Sequence, residues 1–172
     1  MLDEWNASLG WFLTGAIATI LLAAALHDVL ARTVPNWMSI ALAATGVVAS
    51  AVNGRLITSL LLGALVFILS GLCWKRGWLG GGDVKLFGAA AIAVPPMTVA
   101  PFVVAVALAG GVLSLVYLAL GHLIPAPVQL RPVGRPVGLL SRAMRLERWR
   151  LSRGGPLPYA VAIAAGGLFV LL

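Results

Sequence analysis

The sequence predicts an all-α membrane protein, a single domain (residues 1–172) built as a bundle of about six transmembrane helices. Of its 172 residues, 61% are hydrophobic and only 10% are charged, whereas a typical soluble domain carries about 25% charged residues. The mean hydropathy is +1.04. Several apolar runs approach the ~20 residues that a helix needs to cross a ~30 Å hydrocarbon core. This composition excludes an ordinary water-soluble domain.

Turn signals separate the apolar runs into six predicted spans. Such signals occur at Pro35, Asn53-Gly54 and Pro95-Pro96, and the basic pair Lys75-Arg76 closes the third run. The predicted spans are residues 9–30, 37–52, 56–74, 84–94, 97–120 and 157–172. The 11 residues of the fourth span rise only ~16 Å as a helix. Either this helix begins earlier in the chain, or it starts within the depth of the membrane.

Basic residues are divided unequally between the two sets of loops. With six spans, the loops at 31–36, 75–83 and 121–156 share one side, and eleven of the twelve Lys and Arg residues lie on or next to it. Arg55 lies on the other side, together with Asp3 and Glu4. Because cytoplasmic loops carry an excess of Lys and Arg, the 75–83 loop is predicted to be cytoplasmic and both termini to be outside. Membrane topology therefore explains the net charge of +7 without a nucleic-acid partner.

The basic cytoplasmic loop at about 121–156 allows two interpretations. Prolines interrupt its first part, and residues 139–153 then carry five arginines against the single acid Glu147. The loop is either solvated or contains a helix that lies on anionic lipid headgroups, anchored by apolar residues such as Trp149. We favour the surface helix, which adds the lipid bilayer to the expected partners. The chain has one cysteine and two isolated histidines, so we expect no metal and no other cofactor.

Two of the five acidic residues lie where a charge is unfavourable. Asp28 is about one turn from the end of the first span, and Asp83 is at the start of the fourth. Alternating topology brings both to the cytoplasmic side. An ionisable group within a span costs about 2.5–3.5 kcal/mol, so two on one side are explained most simply if they face each other or a shared wet cavity.

Two facing carboxylates suit the chemistry of an aspartyl protease, because they tend to share a proton. One takes a proton from water while the other protonates the carbonyl oxygen. The glycines Gly80, Gly81 and Gly82 would let a peptide backbone approach closely. From spacing alone a structural interpretation is equally open, in which Asp28 pairs with Arg32 one turn later and Asp83 caps a helix.

Several motifs follow one another in order along the chain. Asp28 is followed by Pro35-Asn36 and then by Gly80-Gly81-Gly82-Asp83-Val84-Lys85, and residues 158–166 form an apolar ending. This set, which runs from the first span to the last, resembles the type IV prepilin peptidases, GxGD-type intramembrane aspartyl proteases. The resemblance implies a bacterial inner-membrane enzyme that cleaves the amino-terminal leader of prepilins after a glycine, at the cytoplasmic face. Asp28 and Asp83 match the catalytic pair of that family.

Larger members of that family carry a further amino-terminal region with paired CxxC motifs, which is linked to N-methylation of the new terminus. This chain, with one cysteine, is similar to the short, peptidase-only members that serve Flp or tight-adherence pili. Around the acids, Arg32, Pro35, Asn36 and Lys85 are candidates for orienting the pair or holding the substrate. A helix-linking turn and a membrane boundary explain these four equally well.

Two other functions are compatible with the same residues. A small proton-coupled transporter would use the acids as a relay and predicts internal repetition between the two halves, which the sequence does not display. A non-catalytic subunit of a pilus assembly would use the acids for packing.

Overall fold

The computed structural model describes residues 2–123 and 157–171, and in these ranges all regular structure is helical. The helices are α1 (Leu2–Ala31), α2 (Asn36–Val52), α3 (Leu56–Lys75), α4 (Gly81–Ala93), α5 (Val99–Leu123) and α6 (Tyr159–Leu171), with a 3-10 turn at Pro96–Thr98. The predicted all-α class is confirmed, and a helix lies at each predicted span. The basic stretch at 139–153, with its two interpretations, lies outside the described residues.

Within the described ranges, three helices are long and apolar enough to cross a membrane: Ser8–Ala31, Leu56–Lys75 and Pro96–Leu120. The helices Asn36–Val52 and Tyr159–Leu171 are apolar but shorter. The fourth helix begins three residues earlier than residue 84 and has 13 residues. It therefore rises ~20 Å, which is less than the ~30 Å hydrocarbon core, and Asp83 lies inside its first turn.

Contacts divide the chain into two units, residues 1–110 with 158–172 and residues 111–157. Both candidate acids belong to the first unit. Of the second, the description covers Leu157 and the part of α5 from Gly111 to Leu123. The single domain expected from the sequence stays a prediction.

Helix α4 is the central element of the first unit. Most of its residues are buried, and it packs against α2, α3 and α6. Glycines permit these close contacts: a Cβ on Gly46 of α2 would lie 2.8 Å from the Cα of Ala93, and a Cβ on Gly88 would lie 2.9 Å from the Cβ of Phe67. Small residues of this kind let helices approach closely in a membrane protein.

We call the end of this unit that contains Asp28 and Asp83 the acidic end. The last turn of α1 and the first turns of α4 and α6 lie together there. Two contacts show this: Ala160 donates a hydrogen bond to Asp28, and Gly82 lies against Val34, which follows α1. The opposite end has a cavity of about 290 Å³ whose lining includes Asn53 and Arg55. Arg55 and the two acids therefore lie at opposite ends of the helices.

Candidate active site

A buried stripe along α1 carries Asp28 to the acidic end. The stripe recurs every three or four residues, which places its members on one face of a helix. Its members are Leu13, Ile17, Leu21, Ala24 and Asp28. Asp28 is only 5% exposed, so its carboxylate faces the interior of the bundle and not the surrounding lipid.

The amino-terminal turn of α6 holds the Asp28 carboxylate. Its Oδ2 accepts a hydrogen bond from the backbone N–H of Ala160, at 3.2 Å. Ala160 is the second residue of α6, so this N–H is among those that have no partner within the helix. The positive end of the helix dipole also favours an anion here. The sequence does not predict this contact, and its one local sign is Pro158, next to the start of the helix.

Asp83 is held by its own helix. The N-cap of α4 is Gly80 and Asp83 is the third helical residue, so the hypothesis that Asp83 is itself the N-cap is wrong. Its carboxylate accepts a hydrogen bond from the backbone N–H of Gly80. An acidic side chain three residues into a helix commonly reaches back to the N-cap in this way. The glycine turn and the acid therefore form one local structure.

The three glycines before Asp83 have different neighbours. A Cβ on Gly80 would lie 2.7 Å from Oδ2 of Asp83, inside the space that the carboxylate occupies. A Cβ on Gly82 would lie 3.3 Å from the Cβ of Val34, whereas one on Gly81 would meet its nearest neighbour, Trp74, at 3.5 Å. An added methyl group at position 80 therefore displaces the Asp83 carboxylate, at position 82 it presses on Val34, and at position 81 it makes only ordinary contacts.

Asp28 and Asp83 come together although they are far apart in the sequence. The charge of Asp28 acts on the carboxylate of Asp83, which is half-buried. Two acids in such a position favour a state in which one is protonated and the other ionised. That state can accept a proton from water and donate a proton to a carbonyl oxygen. Within the described residues, no group of three or more His, Cys, Asp or Glu side chains is placed to hold a metal ion.

The predicted supporting residues connect the starts of α2 and α4. Lys85 Nζ donates a hydrogen bond to Oδ1 of Asn36, at 3.0 Å, and so joins α4 to the first residue of α2. Pro35 is the N-cap of α2, and its carbonyl oxygen accepts a bond from the N–H of Met38. These contacts fix the segment between α1 and α2 beside the start of α4.

The turn that ends α1 has an unusual backbone. Arg32 has a φ of +56°, and its N–H donates to the carbonyl oxygen of Asp28 at 2.7 Å. A residue in the left-handed region commonly ends a helix in this way, although glycine is the usual choice. One turn earlier, His27 Nδ1 lies 2.7 Å from the carbonyl oxygen of Thr33. His27 therefore binds the turn itself.

Comparison with known proteins gives one match. The family model described as the type IV leader peptidase family matches residues 15–115, which is more than half of the chain. This range contains both acids and the three glycines. No curated protein and no solved structure matches the chain.

Proposed function

The chain belongs to the type IV leader peptidase family, and we propose that it is an intramembrane aspartyl endopeptidase that removes the leader of Flp-type prepilins. The observation that carries this proposal is the meeting of Asp28 and Asp83 at one end of an apolar bundle. Buried acids of a membrane protein are functional by default. A leader peptidase needs an acid–base pair near the membrane surface, and these two acids supply one.

In the proposed mechanism a water molecule lies between the two carboxylates. The ionised one takes a proton from the water, and the protonated one donates its proton to the oxygen of the scissile carbonyl. Ala160 N–H and Gly80 N–H each orient one carboxylate without adding a charged side chain. Each acid therefore receives a hydrogen bond from a backbone group, which has fewer degrees of freedom than a side chain.

We propose that the acidic end faces the cytoplasm and that cleavage occurs there. Arg32 follows Asp28 by four residues and Lys85 follows Asp83 by two. Because Trp74 lies next to Gly81, the adjoining Lys75 and Arg76 belong to the same end. An excess of cations marks the cytoplasmic side of a membrane protein. With this orientation both termini lie outside, and the cations lie close to anionic lipid headgroups.

The test is co-expression with a Flp-type prepilin, followed by mass spectrometry of the pilin amino terminus. The wild-type chain is expected to remove the leader, and Asp28→Asn and Asp83→Asn are each expected to leave almost all of the prepilin uncut. Glu147→Gln, which changes an acid outside the pair, serves as the matched control and is expected to cleave normally. Cleavage at the wild-type rate by either Asp variant would contradict the proposed function.

A further inference from the structure

A groove lies between α2 and α3, and one end of it reaches Lys85, two residues after Asp83. Both helices pack on α4 much more extensively than on each other, so α4 forms the floor of the gap. The groove has a volume of about 730 Å³, and its lining includes Asn36, Ser39, Ala64, Phe67, Lys85 and Ile92. From Lys85 to Ile92 it follows α4 for ~10 Å, about two turns.

The end of the groove nearest Asp83 is polar. Lys85, two residues after Asp83, bonds to Asn36, and Ser39 lies one turn further along α2. Ser39 is only 6% exposed, yet its buried Oγ has no hydrogen-bond partner. A buried hydroxyl without a partner is unfavourable. Because Ser39 lines the groove, a ligand in the groove can supply the missing partner.

We propose that this groove binds the apolar helix of the substrate, and that Ser39 donates a hydrogen bond to the substrate main chain next to the cleaved bond. The inference rests on the proposed function, because a chain cut at the acidic end continues into the bilayer. A segment in the bilayer must be helical, since only a helix satisfies its own backbone groups. Near the cut the helix must open, which frees carbonyl oxygens that a hydroxyl can bind.

The lining of the groove fits a helix better than a lipid tail. Its floor and walls include the small residues Ala43, Ala64 and Ala89, which allow a close helix–helix contact. A hydrocarbon tail would fill the apolar part, but it contains no acceptor for the hydroxyl of Ser39. The substrate helix supplies both an apolar surface and main-chain acceptors.

Cysteine cross-linking tests where the substrate helix lies. The enzyme carries Cys73→Ala, which removes its one cysteine, and Asp83→Asn, which prevents cleavage. Ala64→Cys is then compared with Ala44→Cys, which is also exposed but does not line the groove. Cysteines placed along the apolar segment of a prepilin are expected to cross-link to Ala64→Cys every three or four positions. No cross-link at position 64, or equal cross-linking at position 44, would overturn the inference.

A pair of serines tests the hydrogen bond. Ser39 and Ser59 are both buried, and neither Oγ has a partner, but Ser59 does not line the groove. We expect Ser39→Ala to raise the KM for prepilin about three- to tenfold, as for the loss of one hydrogen bond, with kcat nearly unchanged. Ser59→Ala should leave both constants near wild type, and the melting temperatures of the two variants should agree.

The role of the groove and the proposed function can be disproved separately. Equal kinetics for Ser39→Ala and Ser59→Ala, with normal cleavage by the wild type, would overturn the groove and leave the proposed function standing. A wild-type chain that cleaves no prepilin would overturn the proposed function and, with it, the inference that depends on it.

Discussion

Asp28 and Asp83 form one pair, but the fold holds them in opposite ways. The carboxylate of Asp83 is bound by Gly80, three residues earlier in the same helical turn. The carboxylate of Asp28 is bound by Ala160, which is 132 positions away in another helix. One acid therefore depends on local backbone geometry, and the other depends on the packing of α6 against α1.

The comparison predicts its largest effect at Gly80. In Gly80→Ala the added Cβ takes the space of the Asp83 carboxylate, and a displacement of about 1 Å lowers catalytic rates by roughly 100-fold. Gly82→Ala should have a smaller effect, because Val34 has to move by only a few tenths of an ångström. Prepilin cleavage rates of the purified variants provide the measurement.

Gly81→Ala is the matched control for these variants, since its Cβ makes only ordinary contacts. Its cleavage rate is expected to lie within about twofold of the wild-type rate, which corresponds to a change of less than about 1 kcal/mol in activation free energy. Equal losses in all three alanine variants would mean that backbone flexibility, and not the position of the Asp83 carboxylate, is what the glycines provide.

The next effect concerns the distant support of Asp28. Ala160→Pro removes the N–H that binds its carboxylate while leaving a residue that a first helical turn tolerates. Because a hydrogen bond to a charged group contributes about 1.5–3 kcal/mol, cleavage should fall roughly 10- to 100-fold. Activity and melting temperature are to be measured together.

Val161→Pro, in the same turn, removes instead a backbone bond to the carbonyl oxygen of Pro158. This control should retain more activity than Ala160→Pro at a similar melting temperature. If the two proline variants are equally active, the bond from Ala160 is not what positions Asp28.

The different ways in which the two carboxylates are held explain which parts of the site could be predicted from the sequence. Gly80 and Asp83 are close in the chain, so the local motif is visible in the sequence, and alternating topology suffices to bring Asp28 to the same end. The bond from Ala160 depends on tertiary packing and leaves no local pattern. The early start of α4 was one of two alternatives that the sequence left open, because glycines have low helix propensity and packing overrides it. A role for Ser39 could not be predicted from the sequence, because a serine in an apolar helix has no distinctive pattern until its neighbours are known.

The smallest effect is one of stability and concerns the turn after Asp28. The positive φ of Arg32 costs a non-glycine residue about 1–2 kcal/mol. The free energy of unfolding of Arg32→Gly should therefore exceed that of Arg32→Ala by about 1 kcal/mol, as measured by denaturant unfolding. The comparison of these two variants cancels the loss of the arginine side chain. Equal stability would show that the turn relaxes without strain.

The central claim is that Asp28 and Asp83 act as one unit, and the most direct measurement is the cleavage rate of the double variant. When two residues act as a unit, removing either one abolishes nearly all of their joint contribution to the rate, so removing the second costs little more. We predict that Asp28→Asn with Asp83→Asn cleaves prepilin no more slowly than either single variant. The claim would be contradicted if each single variant lost only part of the cleavage rate and the double variant lost the product of the two factors. That result would indicate two acids that act independently.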